Sequence, residues 1–192
     1  MSKEARYVVR LSQNGYTPAD QSVLLQKIKD LVRPLSGVAM NLRVSDFAVE
    51  FDLFCAPEAD LNPFLAALAP VGGALSRRRL DIETPAPPPD QVIAEARALF
   101  NEQRFWEFHE VLEGLWKKTL GEEKQLLQGL ILAAAAFVHV QKNEPGVVLQ
   151  MLRDAVARLE HQPAAYQGIN LAQLLSALQK IILTKNVHFP TI

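Results

Sequence analysis

The stretch TPAPPPD, residues 84–90, divides the chain into two parts of different character. Four of its seven residues are prolines, which fix φ and lack the backbone N–H that a helix interior or a central strand needs. Such a composition favours a stiff, extended spacer. We therefore expect a first domain at residues 1–83, a linker at residues 84–90, a second domain at residues 91–185 and a tail at residues 186–192.

Upstream of the linker, the apolar pattern switches between the period of a strand and the period of a helix. Apolar residues recur at every second position in residues 6–11, 38–44 and 47–53, which is typical of half-buried strands. A helix is indicated between Thr17, a suitable N-cap, and Pro34, which ends it. A short helix after Asn62-Pro63 and a last strand at residues 74–82 complete a βαββαβ order. This order predicts an α+β, ferredoxin-like domain with an antiparallel four-stranded sheet and two helices on one face.

The other face of that sheet is expected to carry charges on neighbouring strands. Arg6 and Arg10 lie on the first strand, and Glu50 and Asp52 lie on the third. Cross-strand charge pairing is the simplest interpretation. Binding of an anionic ligand by this face is the alternative.

The charge balance gives no reason to expect nucleic acid or a membrane as a partner. The formal net charge is -1, and the one dense basic run is Arg77–Arg79. An RNA-binding sheet of this fold exposes stacking aromatics, whereas Phe47 and Phe51 fall in the phase assigned to the core. The most apolar stretch, residues 126–140, is shorter than the roughly 20 residues of a membrane span.

Cysteine usage and the N-terminus point to a cytoplasmic protein. A single cysteine excludes an internal disulfide framework and any multi-cysteine metal site. Cys55 lies in the apolar run FDLFC and is expected to be buried. The first eleven residues lack the long apolar core of a signal peptide.

Downstream of the linker, the pattern is helical throughout. Helices are indicated from the cap Asp90 to about residue 101, at residues 105–118 and 122–141, after the Asn143–Gly146 break to about residue 160, and from the cap Asn170 to residue 182. Short connections between consecutive helices favour antiparallel neighbours. The second domain is therefore predicted to be an all-α bundle of about five helices.

The second of these helices, FWEFHEVLEGLW at residues 105–116, carries the candidate functional residues. At about 100° per residue, His109 falls at the edge of the apolar face, one turn before Glu113, whereas Glu107 is expected in solvent. On the third helix, Gln128 and His139 share one side and lie about 16 Å apart along the axis. The apolar face comprises Phe105, Phe108, Val111, Leu112, Leu115 and Trp116.

The string FNEQRFWEFHEVLEGLW (residues 100–116), followed by LLQGLILAAAAFVHVQKNEPG (residues 126–146) and a further helix, resembles a known family. That family is domain of unknown function 309, a small all-helical family of bacteria and archaea. The resemblance covers roughly residues 92–160 and implies a fold but no reaction. Its most specific parts are Phe100-Asn101, the spacing of Trp106, Glu107, His109, Glu110, Glu113 and Trp116, the run Leu127-Gln128-Gly129-Leu130, and His139.

Three interpretations of the histidine and the glutamates remain open. In the first, His109 pairs with Glu113, His139 or Gln128 extends the network, and Arg153 neutralises a carboxylate, with no chemistry. In the second, His109 and Glu113 bind a divalent metal with His139 or Glu110, although the second histidine of a zinc-protease HExxH is missing.

In the third interpretation, Glu110 or Glu113 is a general base that His109 orients, in a pocket walled by Trp106 and Trp116. From the two-domain layout and the absence of a convincing catalytic set, we expect a binding or self-association module without established catalysis, which forms a homo-oligomer through its N-terminal sheet or its bundle. A metal-dependent hydrolase is the alternative, with a divalent metal as its cofactor. The candidate pocket residues are Trp106, His109, Glu110, Glu113, Trp116, Gln128 and His139.

Overall fold

A computed structural model describes residues 4–82 and 87–192 of the protein. It is a mixed α and β structure, in which a four-stranded antiparallel sheet is followed by five helices. The chain divides into two compact units within the proline-rich stretch. Residues 84–86 of the expected linker lie outside the described residues, and Pro89 and Asp90 already belong to the first helix of the second unit.

The first unit has the predicted order of elements. Its strands are β1 (Ala5–Ser12), β2 (Val38–Val44), β3 (Ala48–Cys55) and β4 (Ala74–Arg79), and its helices are α1 (Gln21–Val32) and α2 (Asn62–Leu68). The strands lie side by side in the order β2-β3-β1-β4, and every neighbouring pair is antiparallel. β4 ends three residues earlier than expected, where the carboxylate of Asp81 accepts hydrogen bonds from the Arg6 N–H and from Arg79.

Both helices of the first unit share one core with the sheet. Cys55 is buried there as expected, and its burial raises the pKa of the thiol. The Thr17 N–H donates to Asp20, which closes the turn that leads into α1. The helices contribute Leu24, Ile28, Val32, Phe64 and Leu68, and the sheet contributes Val9, Leu11, Leu42, Val44, Val49, Phe51 and Leu53.

A bulge in β2 breaks the alternation that the sequence indicated. The register against β3 shifts between Met40 and Arg43, and Asn41 takes a left-handed φ of 53°. Because one extra residue reverses the pleat, Leu42 and Val44 point into the core whereas Val38 and Met40 are exposed. Phe47 was also expected in the core, but it lies in the β2–β3 turn and is 53% exposed.

The charges predicted on the other sheet face pair with one another, and Arg43 joins them. Arg6 Nη2 lies 2.7 Å from Asp52 Oδ2, and Arg10 Nε lies 3.7 Å from Glu50 Oε2. Arg43, brought to this face by the bulge, contacts Glu50 at 2.6 Å and Asp52 at 3.0 Å. Cross-strand charge pairing is thereby confirmed, although both carboxylates are buried rather than open to solvent.

The second unit consists of α3 (Pro89–Asn101), α4 (Phe105–Trp116), α5 (Gly121–Gln141), α6 (Val148–Leu159) and α7 (Leu171–Thr184). Asp90 lies inside α3, so it is not the cap that we expected. The cap of α7 is as predicted, because Asn170 Oδ1 accepts a hydrogen bond from the Gln173 N–H. None of the helices among the described residues is both long and apolar enough to cross a membrane.

Phenylalanine rings form the centre of the second unit. The ring centroid of Phe100 lies 5.0 Å from that of Phe105 and 5.1 Å from that of Phe108, and Phe137 from α5 contacts the first two. Phe189, from the segment expected to be a tail, packs on Phe105 and Phe137. The end of the chain is therefore part of the core of this unit.

Candidate functional site

Helix α4 buries the apolar face that its sequence predicts. Phe105, Phe108 and Leu112 are fully buried, and Val111 and Leu115 pack partly against the same core. This packing fixes the rotation of α4, so the positions of its polar side chains follow from the buried ones.

His109, Glu110 and Glu113 form the cluster that α4 presents beside its buried face. Each offers one ligand atom, and these three atoms all lie within 4.8 Å of one another. His109 and Glu113 are half-buried and Glu110 is exposed. The Nδ1 atom of His109 lies 3.4 Å from Glu110 Oε1. Imidazole nitrogen together with carboxylate oxygens is a donor set that suits divalent transition metals.

Glu113 has a second neighbour that changes the expected pairing. Its Oε1 atom lies 3.1 Å from Lys117 Nζ, one turn further along the helix. The simple pair of His109 with Glu113 is therefore not what the structure shows, because His109 contacts Glu110 instead. A cation bound to the cluster would replace the ammonium group beside Glu113.

Glu107 contradicts the sequence prediction, because it is 1% exposed rather than solvated. Its two carboxylate oxygens accept hydrogen bonds from Arg104 at 2.7 and 3.0 Å. Arg104 lies just outside the start of α4, where its side chain can turn back over the first helical turn. Glu107 is thus part of a structural ion pair and not of the cluster.

Gln128 and His139 do not join the three clustered residues. His139 Nδ1 lies 2.6 Å from Glu144 Oε2, at the end of α5, and Gln128 is half-buried in the middle of that helix. Arg153 on α6 makes no ion pair with any residue that the structure describes, so it does not neutralise a carboxylate as the first interpretation required.

The two tryptophans lie at opposite ends of α4, Trp106 in its first turn and Trp116 at its last residue, and both are half-buried. The ammonium group of Lys124 lies over the ring of Trp116, 4.5 Å from its centroid, which is within cation–π range. Trp116 therefore already has a cationic partner on α5. Sequence reasoning missed Lys124, because a single half-buried lysine gives no periodic signal.

Comparisons with known proteins agree with the family that the helical pattern resembles. Residues 93–151 match the model of a family described as Domain of unknown function (DUF309). An uncharacterized protein of Aquifex aeolicus (strain VF5) is 29% identical over 101 residues, which cover 52% of this chain and 30% of that protein. The chain therefore spans less than a third of the length of this curated relative.

A solved structure is similar over about half of the chain. It is the crystal structure of a conserved hypothetical protein from Thermus thermophilus, with 37% sequence identity and a TM-score of 0.40. The match covers 51% of this chain and 98% of the Thermus chain. Neither relative has a name that states a reaction or a ligand.

Proposed function

We propose that this chain, whose residues 93–151 match the Domain of unknown function (DUF309) family, is a non-catalytic binding protein. We propose further that His109, Glu110 and Glu113 on α4 bind a divalent cation. The observation that carries the proposal is the convergence of their three ligand atoms within 4.8 Å.

The donor set and its exposure both support a cation of the zinc or manganese type. One imidazole and two carboxylates are common ligands of these ions. All three come from a single helix, so they occupy one side of a bound ion and leave its other positions to water or to a partner molecule. Such an open, three-residue site would bind an ion without enclosing it.

The surroundings of the cluster support binding more than catalysis. A metal-dependent hydrolase would need the same ion beside a walled substrate pocket, with the two tryptophans as its walls. Trp116 instead carries Lys124 over its ring, and Glu113, one of the two candidate bases, already lies beside Lys117. The ammonium group of Lys117 lies beside the carboxylate of Glu113, where the substrate of a general base would have to approach.

For the first unit, we propose the ferredoxin-like arrangement. Its support is the βαββαβ order together with the antiparallel strand order β2-β3-β1-β4 and the packing of both helices in one core. A cytoplasmic location belongs to the same proposal, and the single, buried Cys55 supports it because a reducing compartment keeps thiols free.

Titration calorimetry of the full chain with Zn²⁺ and with Mn²⁺, combined with metal analysis of the purified protein, tests cation binding. We expect one ion per chain, and we expect His109→Ala and Glu113→Gln each to weaken binding by at least about tenfold. His139→Ala is the matched control, since His139 also lies beside a glutamate but outside the cluster. Binding that survives both α4 substitutions, or no binding of either ion, would refute the proposal.

A further inference from the structure

Helices α6 and α7 border an open groove of about 350 Å³. Its apolar floor is formed by Val156 and Ala157 from α6 and by Ile182 and Leu183 from α7. Leu183 is 83% exposed, although it lies beside other apolar side chains. An exposed apolar surface with polar residues at its margin is typical of a protein interaction site.

The charges at the two ends of this groove have opposite signs and lie on one face of α6. Arg153, Val156, Ala157 and Glu160 follow the spacing i, i+3, i+4, i+7, which aligns them along one side of the helix. Arg153 and Glu160 are two turns apart, about 10 Å along the axis. The midpoint between them falls at Val156 and Ala157.

We propose that this groove binds the same groove of a second copy of the chain, with the two α6 helices antiparallel about a two-fold axis at Val156 and Ala157. An antiparallel register centred there places Arg153 opposite Glu160 of the other copy. By symmetry, Glu160 then lies opposite Arg153 of that copy. A two-fold interface requires a surface that is complementary to itself, and this arrangement of charges meets the requirement.

The partners within one chain leave both charges available for such a contact. Arg153 has no ion pair among the residues that the structure describes, and Glu160 lies 3.6 Å from the exposed imidazole of His161. Glu160 is also the C-cap of α6, where the helix dipole disfavours a carboxylate. An arginine from a second copy would offset that unfavourable position.

The apolar residues between the charges fit the same arrangement. Ala157 is small, so two helices can approach closely at the axis, at the roughly 8–10 Å that is usual for packed helices. Leu183 of each copy would then be covered by the α6 helix of the other. This inference concerns a different surface from the α4 cluster and does not depend on cation binding there.

Sedimentation equilibrium of the full chain, with charge-reversal variants, tests the proposed dimer. We expect the unmodified chain to dimerise, and Arg153→Glu and Glu160→Arg each to raise the dissociation constant about tenfold or more, because each places like charges at both symmetry-related contacts. The double variant, Arg153→Glu with Glu160→Arg, restores opposite charges and should return the constant to within about threefold of the original. Leu183→Ala should also weaken the dimer.

Lys180→Glu is the matched control, since it reverses an exposed charge on α7 outside the groove and should leave the dimer unchanged. Three results would overturn the proposal. The chain could be monomeric at every concentration, or its dimer could be insensitive to the single reversals, as expected for an interface elsewhere. The double variant could also bind no better than the single ones.

Discussion

The guanidinium of Arg104 holds the carboxylate of Glu107 through two parallel hydrogen bonds, 2.7 Å from Nε to Oε1 and 3.0 Å from Nη2 to Oε2. Arg104 also donates to Glu102 at 3.0 Å. Burial alone lowers the pKa of Arg104, but the hydrogen bonds and charges of Glu107 and Glu102 outweigh it and raise that pKa above its ordinary value. Arg104 therefore stays charged beside Glu107, and their contact fixes the first turn of α4.

Glu107→Ala should destabilise the protein by about 2–3 kcal/mol, because it removes the buried partner of a charge-assisted pair and leaves Arg104 half-buried. The free energy of unfolding in urea is the measurement. Glu113→Gln is the control, since Glu113 pairs with Lys117 in a more exposed setting, and we expect it to cost less than about 1 kcal/mol. If the two substitutions lowered the free energy of unfolding equally, the Arg104–Glu107 pair would stabilise the protein no more than an exposed ion pair does.

The pair of Arg104 and Glu107 also shows which buried residues helical periodicity can predict and which it cannot. The spacing of apolar residues predicted the buried face of α4 correctly, because burial of Phe105, Phe108 and Leu112 repeats with the helix. It misplaced Glu107, because a polar residue was assumed to face water. The residue that covers Glu107 is an arginine before the helix, and no periodic pattern includes a residue outside the element.

The β2 bulge shows the same limit for strands. Alternation correctly predicted that a strand exists at residues 38–44, and it could not predict which residues point inward. Asn41 has a left-handed φ, and the side chains that follow it point to the opposite sheet face from the one that simple alternation predicts. The sequence cannot show this, because an asparagine can adopt either a left-handed or an extended conformation. Arg43 consequently joined the charged network without any signal in the sequence.

The candidate site was predictable in part. The sequence indicated that His109 and Glu113 would lie together, because residues four positions apart on a helix share a side, and Glu110 lies three positions before Glu113. It could not place His139, whose relation to α4 depends on how α5 packs, and whose contact is Glu144 in the following turn. Contacts within one element follow from spacing, whereas contacts between elements require the fold.

Gly129 and Gly114 both lie within helices, but replacing each of them with alanine should have opposite effects on the stability of the protein. A Cβ atom at Gly129 in α5 would lie 2.7 Å from Cγ of the buried Leu159 in α6, so the two helices or that side chain would have to move. A Cβ atom at Gly114 in α4 would meet nothing within 4 Å.

We expect Gly129→Ala to lower the free energy of unfolding by about 1–3 kcal/mol through overpacking. Gly114→Ala should raise it by about 0.5–1 kcal/mol, because alanine loses less backbone entropy than glycine in a helix. Thermal and urea unfolding of both variants would measure the difference. Stabilisation by both substitutions would mean that α5 and α6 are not closely packed at this point.

Arg43→Met should be strongly destabilising, by about 3 kcal/mol, since it removes one partner from two buried carboxylates at once. Burial alone lowers the pKa of Arg43, but the charges of Glu50 and Asp52 outweigh it and raise that pKa. Arg77→Met on the exposed strand β4 is the control and should change the stability by less than about 0.5 kcal/mol. A small effect at Arg43 would show that Arg6 and Arg10 suffice to neutralise Glu50 and Asp52.

Tyr166 should make a contribution to the stability of the helical unit that decreases as the pH rises in the alkaline range. Its hydroxyl donates to Glu123 Oε1 at 2.5 Å, and burial first, then this hydrogen bond and the carboxylate charge, raise the pKa of the phenol above its ordinary value of about 10. A raised folded-state pKa contributes stability that is complete below the unfolded value and is lost as the pH rises past it. The advantage of the natural chain over Tyr166→Phe should therefore be constant up to about pH 9 and shrink above about pH 10.

Urea unfolding at several pH values tests this dependence, and ultraviolet absorbance of the phenolate follows the ionisation directly. Tyr166→Phe should remove the ionisation of Tyr166 and so identify it in the absorbance titration. Glu123→Gln keeps a hydrogen-bond acceptor but removes the charge, so it should lower the pKa of Tyr166 part of the way towards its ordinary value. Two results would show that Glu123 does not control the titration of Tyr166. Tyr166 could ionise near the ordinary tyrosine pKa of about 10, or Glu123→Gln could leave the pKa of Tyr166 unchanged.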